Sequence, residues 1–363
     1  MEIVVYLLII IINLLFAHKK KNSKIVLFIS CIGILILMCG YRRPFYGDLD
    51  NYYYMYIGKQ DLPIGMNFIF QMFRILKVDF FTVHYILLAF FVSTSIFIIK
   101  SFCDNWHYTV ALYTCYYIII SADQIKNHTA FIFLCFAIYF LYKNKKLLAF
   151  LFILIASSIH YSFVVYFLLI FLSSKKFDKL KMFCILISVI YAFIAFFNID
   201  SMIINTFIPM IISIFGSKVG DFATEKALIY LSTRTGGGFL LCIGLQCLNY
   251  YLLKYSRKLL NNNGIFWYEN FVDFVIRINE IGFIVIPLFI YNMQWYRIIR
   301  DLLLFNYCVF GVTYFYLFKN SYKRMYYLLI TLGSTYIWLI GDLCLKTTPN
   351  LVLIPFFTNN LFL

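Results

Sequence analysis

The sequence predicts an all-α integral membrane protein that crosses the bilayer about twelve times. Three observations carry this. Of 363 residues, 63% are hydrophobic and only 13% are charged, whereas a soluble domain is nearer half apolar and a quarter charged. Apolar runs recur along the whole chain at lengths near those of membrane helices. The lysines cluster in short connectors between those runs, which orientation in a membrane accounts for. The net charge of +15 therefore points to lipid rather than nucleic acid as the chain's surroundings.

The runs lie near 2–17, 25–40, 80–99, 107–121, 129–142, 147–159, 161–173, 182–198, 237–253, 270–290, 298–318 and 326–343. The first has no small-residue cleavage site after it and reads as a retained span, not a signal peptide. The pair 147–159 and 161–173 is short for two crossings, so lysine placement has to decide between a hairpin and one long helix. The lysine-rich connectors are 18–24, 143–146, 173–181, 254–258 and 319–325. They share one side, the cytoplasm, only if even numbers of spans separate them. A hairpin with Ser157, Ser158, His160 and Tyr161 near its tip satisfies that condition. Both termini then face outward, with segments 41–79, 122–128, 199–236 and 291–297 and the tail after Asp342. The stretches 65–76 and 202–216 are amphipathic, suited to lying in the interface or dipping into a protein-lined cavity. No repeat or linker divides the chain, so residues 1–363 are read as one domain. The ten cysteines sit almost all in apolar runs without metal-type spacing and read as small buried residues.

Tyr41 to Tyr56 is the densest functional signal. Its sixteen residues hold two arginines, two aspartates, a glycine and six tyrosines, a mixture suited to an anionic, sugar-bearing substrate. Arg42 and Arg43 here, and Arg297 and Arg300 further on, offer bidentate forks for phosphate oxygens. Arg297 and Arg300 are spaced to share a helix face. Asp48, beside Gly47, suits a general base and equally a helix cap or an arginine partner; Asp50 is the weaker candidate. His160 is an ionisable group within an apolar hairpin, which makes it a site hypothesis by default. His128 reads as a solvated neighbour of Lys126. Arg277 and Glu280 are spaced to pair across one helical turn. The TRTGGG stretch after Tyr230, which contains Arg234, lacks the ending and the preceding strand of a nucleotide loop. No carboxylate pair stands at metal-ligand spacing with histidine, so neither metal nor cofactor is expected.

Taken in order, the motifs resemble a known family. An RxxxxGDxxxYYxxY segment follows two N-terminal spans. Then come PIGMNFIFQMF, IKNHTA, LAFLFILIASSIHYSFVVYFLL, YLSTRTGGG and WYRIIRDLLLFNY. From about Tyr41 to Phe310 this resembles the EpsG family of Wzy-like polysaccharide polymerases. Two positions depart from the family pattern: Lys126 stands where an arginine is usual, and Ile64 precedes Gly65 where an acidic residue is usual. The resemblance implies a GT-C-like architecture. It implies a metal-independent glycosyltransferase in the bacterial cytoplasmic membrane, with its active site facing the periplasm or outside. A growing glycan on undecaprenyl diphosphate would be the donor and a single lipid-linked repeat unit the acceptor. Besides these and the membrane lipids, a chain-length regulator is a candidate partner. On this reading Arg42, Arg43, Lys126, Arg234, Arg297 and Arg300 bind diphosphate, and Asp48 or His160 takes the acceptor proton. Tyr52, Tyr53, Tyr230 and Trp295 offer flat faces to sugar rings. The alternatives are a lipid-linked oligosaccharide flippase or transporter, for which matching halves are missing, and a membrane O-acyltransferase, for which an intramembrane histidine is expected.

Overall fold

The computed structural model describes residues 1–42, 48–58, 62–196, 238–317, 321–346 and 349–363. Its helices are α1 (Glu2–His18), α2 (Lys24–Gly40), α3 (Asp48–Tyr56), α4 (Ile64–Ile75), α5 (Phe80–Phe102), α6 (Trp106–Asp123), α7 (Ile125–Tyr142) and α8 (Lys146–Ile159). A 3-10 helix (Tyr161–Phe167) leads into α9 (Leu168–Leu172), followed by α10 (Asp178–Phe196) and α11 (Gly238–Asn262). Three pieces follow: α12 (Glu269–Asn279), α13 (Ile281–Ile284) and α14 (Ile286–Tyr291). The 3-10 turn Met293–Tyr296 precedes α15 (Arg297–Arg300), α16 (Leu303–Tyr316), α17 (Ser321–Ile340) and α18 (Leu353–Thr358). No strand occurs among the described residues, only an isolated bridge between Tyr41 and Asn360. Among the described residues, four helical stretches are long and apolar enough to cross a bilayer: Phe80–Phe102, Ile125–Tyr142, Gln294–Tyr316 and Ser321–Leu345. Glu2–His18, Lys24–Gly40, Lys146–Ile159 and Tyr161–Leu172 are shorter apolar helices. The protein is thus all-helical, with apolar helices suited to a membrane.

Helix α6 is the axis. Every residue from His107 to Asp123 is buried, as expected of a helix without a polar face. Lipid is as apolar as a leucine side chain, so close packing and hydrogen bonds must hold the helices together. Tyrosines on α6 supply the bonds. Tyr113 meets Ser95 on α5 at 2.9 Å, Tyr108 meets Thr331 on α17, and Tyr6 on α1 donates to the Cys115 carbonyl at 2.8 Å. A small residue supplies the close approach. A Cβ at Gly311 on α16 would lie 2.3 Å from Thr109 Oγ1, so any larger residue would push α16 off the axis.

The described parts of connectors 18–24 and 319–325 meet at one end of the bundle. Asn105 donates to the carbonyl of Ala17, Ser23 donates to His107, Arg324 reaches the carbonyls of Ala17 and His18, and Phe102 stacks on Phe271. The chain reverses at His160: Phe150 on α8 touches Phe167 at 5.1 Å between ring centroids, which one continuous helix could not allow. The hairpin expected from lysine parity is therefore present. Its first arm has 14 residues, about 21 Å at the usual rise against about 30 Å of hydrocarbon. The tip is accordingly recessed. Residues 40–42 bond to 359–361 at the opposite end from the lysines, and α1 also starts there.

Several elements differ from expectation. The Asp48–Tyr56 segment is helical, not an open polar loop. The α4 helix is apolar on two sides. Met66 and Phe70 are buried while Ile64, Phe68, Met72 and Ile75 are exposed. Gly65 brings its backbone against Ser158 and Ile159, where a Cβ would lie 2.9 Å from the Ser158 carbonyl carbon. Glu280 pairs with Lys181 on α10 and accepts from Tyr250, not from Arg277. The Lys181 ammonium is almost fully buried, and such a charge requires a counter-ion. His128 is buried and donates from Nδ1 to the Ser121 carbonyl at 3.0 Å. It faces His84 on α5, not solvent. The amphipathic stretch 202–216 lies outside the described residues.

Candidate functional site

At the end away from the lysines, four segments converge. Helix α3 contributes Asp48 at its start and Tyr52 one turn later, on its buried face. Helix α7 opens with Lys126, whose ammonium lies 5.4 Å from the Tyr52 ring centroid. The hairpin tip contributes His160, and α15 contributes Arg297. Lys126 over Tyr52, and α15 packed against the 3-10 helix that His160 caps, bring these side chains together. Burial, and then the Asp48 carboxylate, raises the Tyr52 phenol above its ordinary value, with Arg297 acting against them. Burial, and then the charges of Arg297, Lys126 and Arg300, lower the His160 imidazole to about 3. An imidazole set among three cations is held neutral, since its charged form would meet both desolvation and repulsion.

The tautomer follows from the local backbone. His160 is the extended residue capping the 3-10 helix, and its Nδ1 accepts from the Ser162 amide at 3.4 Å, with the Ser162 hydroxyl at 2.8 Å. A neutral ring accepting at Nδ1 carries its proton on Nε2. His160 therefore presents a hydrogen-bond donor rather than a base.

Arg297 differs from Arg42, Arg257, Arg300 and Arg324 in that its guanidinium makes no hydrogen bond and no ion pair among the described residues; its Nε is buried without a hydrogen-bond partner, as are those of Arg277 and Arg300. A buried guanidinium nitrogen left unpaired is costly. An anion between Arg297, Lys126 and the His160 Nε2–H would supply the missing acceptor.

Arg300 is placed otherwise than its spacing suggests. It is 1% exposed and committed to protein. It donates to Gln124 Oε1 at 2.8 Å and Tyr296 at 3.0 Å, with Asp342 at 3.4 Å and Asp301 at 3.7 Å. Packing explains the split: on the single turn α15, Gln124, Tyr296 and Asp342 take Arg300 into the bundle, while Arg297 stays at its margin. Arg42 is also occupied. It donates to the carbonyls of Cys39 and Tyr41 and to Tyr85, and it covers the Phe81 ring at 4.5 Å. Tyr53 packs edge-on against Phe80 and is half exposed, and Trp295 is half-buried two residues before Arg297. Arg43, Tyr230 and Arg234 lie outside the described residues.

Asp301 and Asp342 escaped the sequence reading. Asp301 accepts from Tyr117 at 3.0 Å, Asn127 at 3.3 Å and Tyr166 at 3.3 Å, and Asp342 accepts from Tyr116 at 2.6 Å. Their signal was available: a carboxylate inside an apolar run marks a site or its support.

The EpsG family profile matches residues 25–356. The chain belongs to the EpsG family. This makes the protein a membrane component of polysaccharide biosynthesis. No curated protein and no solved structure gives a significant match. Nearly the whole helical bundle of this EpsG family member, from α2 through α18, lies inside the match, and so do Asp48, Lys126, His160 and Arg297.

Proposed function

We propose that the protein is a Wzy-type glycosyltransferase. It polymerises undecaprenyl-diphosphate-linked repeat units at the outer face of the cytoplasmic membrane, within a GT-C-like bundle of about twelve spans. The observation that carries this reading is the unpaired Arg297, grouped with Lys126 and the Nε2–H of His160. Three donors around one space suit a diphosphate, and the family supplies its context. With the lysine-rich connectors in the cytoplasm, this group faces outward, where lipid-linked units and not nucleotide sugars are the glycosyl source.

In the reaction, a hydroxyl of the acceptor repeat unit attacks the anomeric carbon of the donor glycan. The bond from that carbon to the diphosphate oxygen breaks, and its electron pair leaves with the diphosphate. Arg297, Lys126 and His160 stabilise the growing negative charge, a role in which donors set in place beforehand contribute most. The acceptor proton passes to Asp48, because His160 Nδ1 is occupied and its Nε2 already carries hydrogen. Tyr52 and Trp295 flank the sugar. The products are a longer glycan on the acceptor lipid and free undecaprenyl diphosphate.

The test is reconstitution. Purified protein in lipid nanodiscs, given undecaprenyl-diphosphate-linked repeat units, should produce a glycan ladder with undecaprenyl diphosphate released in step. Transfer of intact units across the bilayer without a ladder would replace this reading with a flippase.

A further inference from the structure

Asp301 is 1% exposed, yet two of its partners, Asn127 and Tyr166, stand on elements that carry members of the site. Asn127, which donates to Oδ1 at 3.3 Å, follows Lys126 on α7. Tyr166, which reaches Oδ2 at 3.3 Å, stands on the 3-10 helix that His160 caps. The same phenol lies 3.0 Å from the carbonyl of Ile298, beside Arg297. The Asp301 amide donates to the Arg297 carbonyl at 2.8 Å. Tyr117 joins this junction to the α6 axis at 3.0 Å. One carboxylate thus ties together the three elements that carry Lys126, His160 and Arg297.

The charges point the same way. Arg300 lies between Asp301 and Asp342, so two carboxyl groups face one guanidinium in the interior. Lys126, His160 and Arg297 converge just beyond. Without the carboxylate, the donors of the anion site would repel one another and lose their common anchor.

We infer that Asp301 is the positioning residue of the anion site, holding Lys126, His160 and Arg297 at the spacing of a diphosphate without touching it. This rests on the polymerase reading above. The structural alternative is that Asp301 only stabilises the bundle, and the two differ in how Asp301 and Arg297 combine.

The experiment measures binding of undecaprenyl diphosphate to protein in nanodiscs for wild type, R297A, D301N and the double variant, alongside thermal unfolding. If Asp301 acts through Arg297, D301N weakens binding by about 10- to 100-fold, the usual cost of a displaced binding group. In the R297A background the same change adds about twofold or less, because coupled residues are not additive. Y166F removes one strut at little cost to folding and should weaken binding by about threefold. If D301N does not fold, Y166F is judged by the same coupling to R297A. Wild-type binding by D301N, or full additivity with R297A, overturns the positioning role. If R297A itself binds like wild type, the anion site and the polymerase reading fail instead.

Discussion

The two ends of the bundle treat their cations in opposite ways. At the lysine-rich end, Arg324 is bonded to two carbonyls that finish α1 and lies over the Tyr314 ring at 4.4 Å. Arg257 bridges Glu269 and Asp273. The helices there are continuous and the connections short. At the other end the helices are broken, at His160 and on both sides of α15, and the cation set between those breaks is Arg297, with its Nε unpaired. A guanidinium bonded to protein groups is part of the frame, whereas Arg297, whose guanidinium has no bonded partner among the described residues, is the one proposed to take an anion.

The sharpest way to break this contrast is Arg300→Ala. It strands Asp301 and Asp342 in a dry interior, and removal of one partner from a buried ion pair costs about 3–5 kcal/mol. Thermal unfolding in detergent should register a large loss, with poor recovery of folded protein. Arg297→Ala should do the reverse. Stability stays near wild type, while polymerisation in the reconstituted assay falls by about 100-fold, the cost of losing one oxyanion donor. Should R297A unfold and R300A remain active, the assignment of frame and site is inverted.

His160 sharpens the comparison through pH. Its folded pKa, about 3, lies below the ordinary 6.5, so between those values the unfolded chain binds more protons than the folded one. Stability is then full above about 6.5 and falls as the pH drops toward 3. His160 stays neutral throughout the physiological range, so the activity profile should lack an imidazole limb between about pH 6 and 8. His160→Gln should lower activity about tenfold without changing the shape of that profile. A limb near 6.5 that disappears in H160Q would make the histidine a base after all. The smallest effect belongs to Arg257→Ala. Its pairs are partly exposed, so its loss should cost under about 1 kcal/mol and leave the glycan ladder unchanged.

Much of the fold was legible because the bilayer imposes one period and one length on every span. The described apolar runs are helical, though 161–173, 270–290 and 298–318 are broken into shorter pieces, and lysine parity favoured the hairpin that reverses at His160. The site was legible only in part. Residue type pointed to Arg297, His160, Lys126 and Asp48, but type does not say which way a side chain turns. Arg297 and Arg300 are three apart on a single turn, and only packing against Gln124, Tyr296 and Asp342 settles that one of them is internal. Arg42 was absorbed in the same way by carbonyls and Tyr85. Asp301 and Asp342 were not legible as bonding centres because they sit in apolar runs, away from the polar segments, and only the fold brings Tyr117, Tyr166 and Tyr116 to them. The helix at Asp48–Tyr56 was obscured by its tyrosines, which give no clear apolar period yet bury Leu49, Tyr52 and Tyr56.

The central claim is that Arg297 serves glycan polymerisation at the outer membrane face. It is tested most directly by deleting the gene in its host and restoring it as wild type or as R297A, then separating the surface glycans by length. The account predicts long polymer with wild type. With R297A it predicts single repeat units, made and exposed outside but not joined, at equal protein levels in the membrane. A full-length ladder from R297A would contradict it.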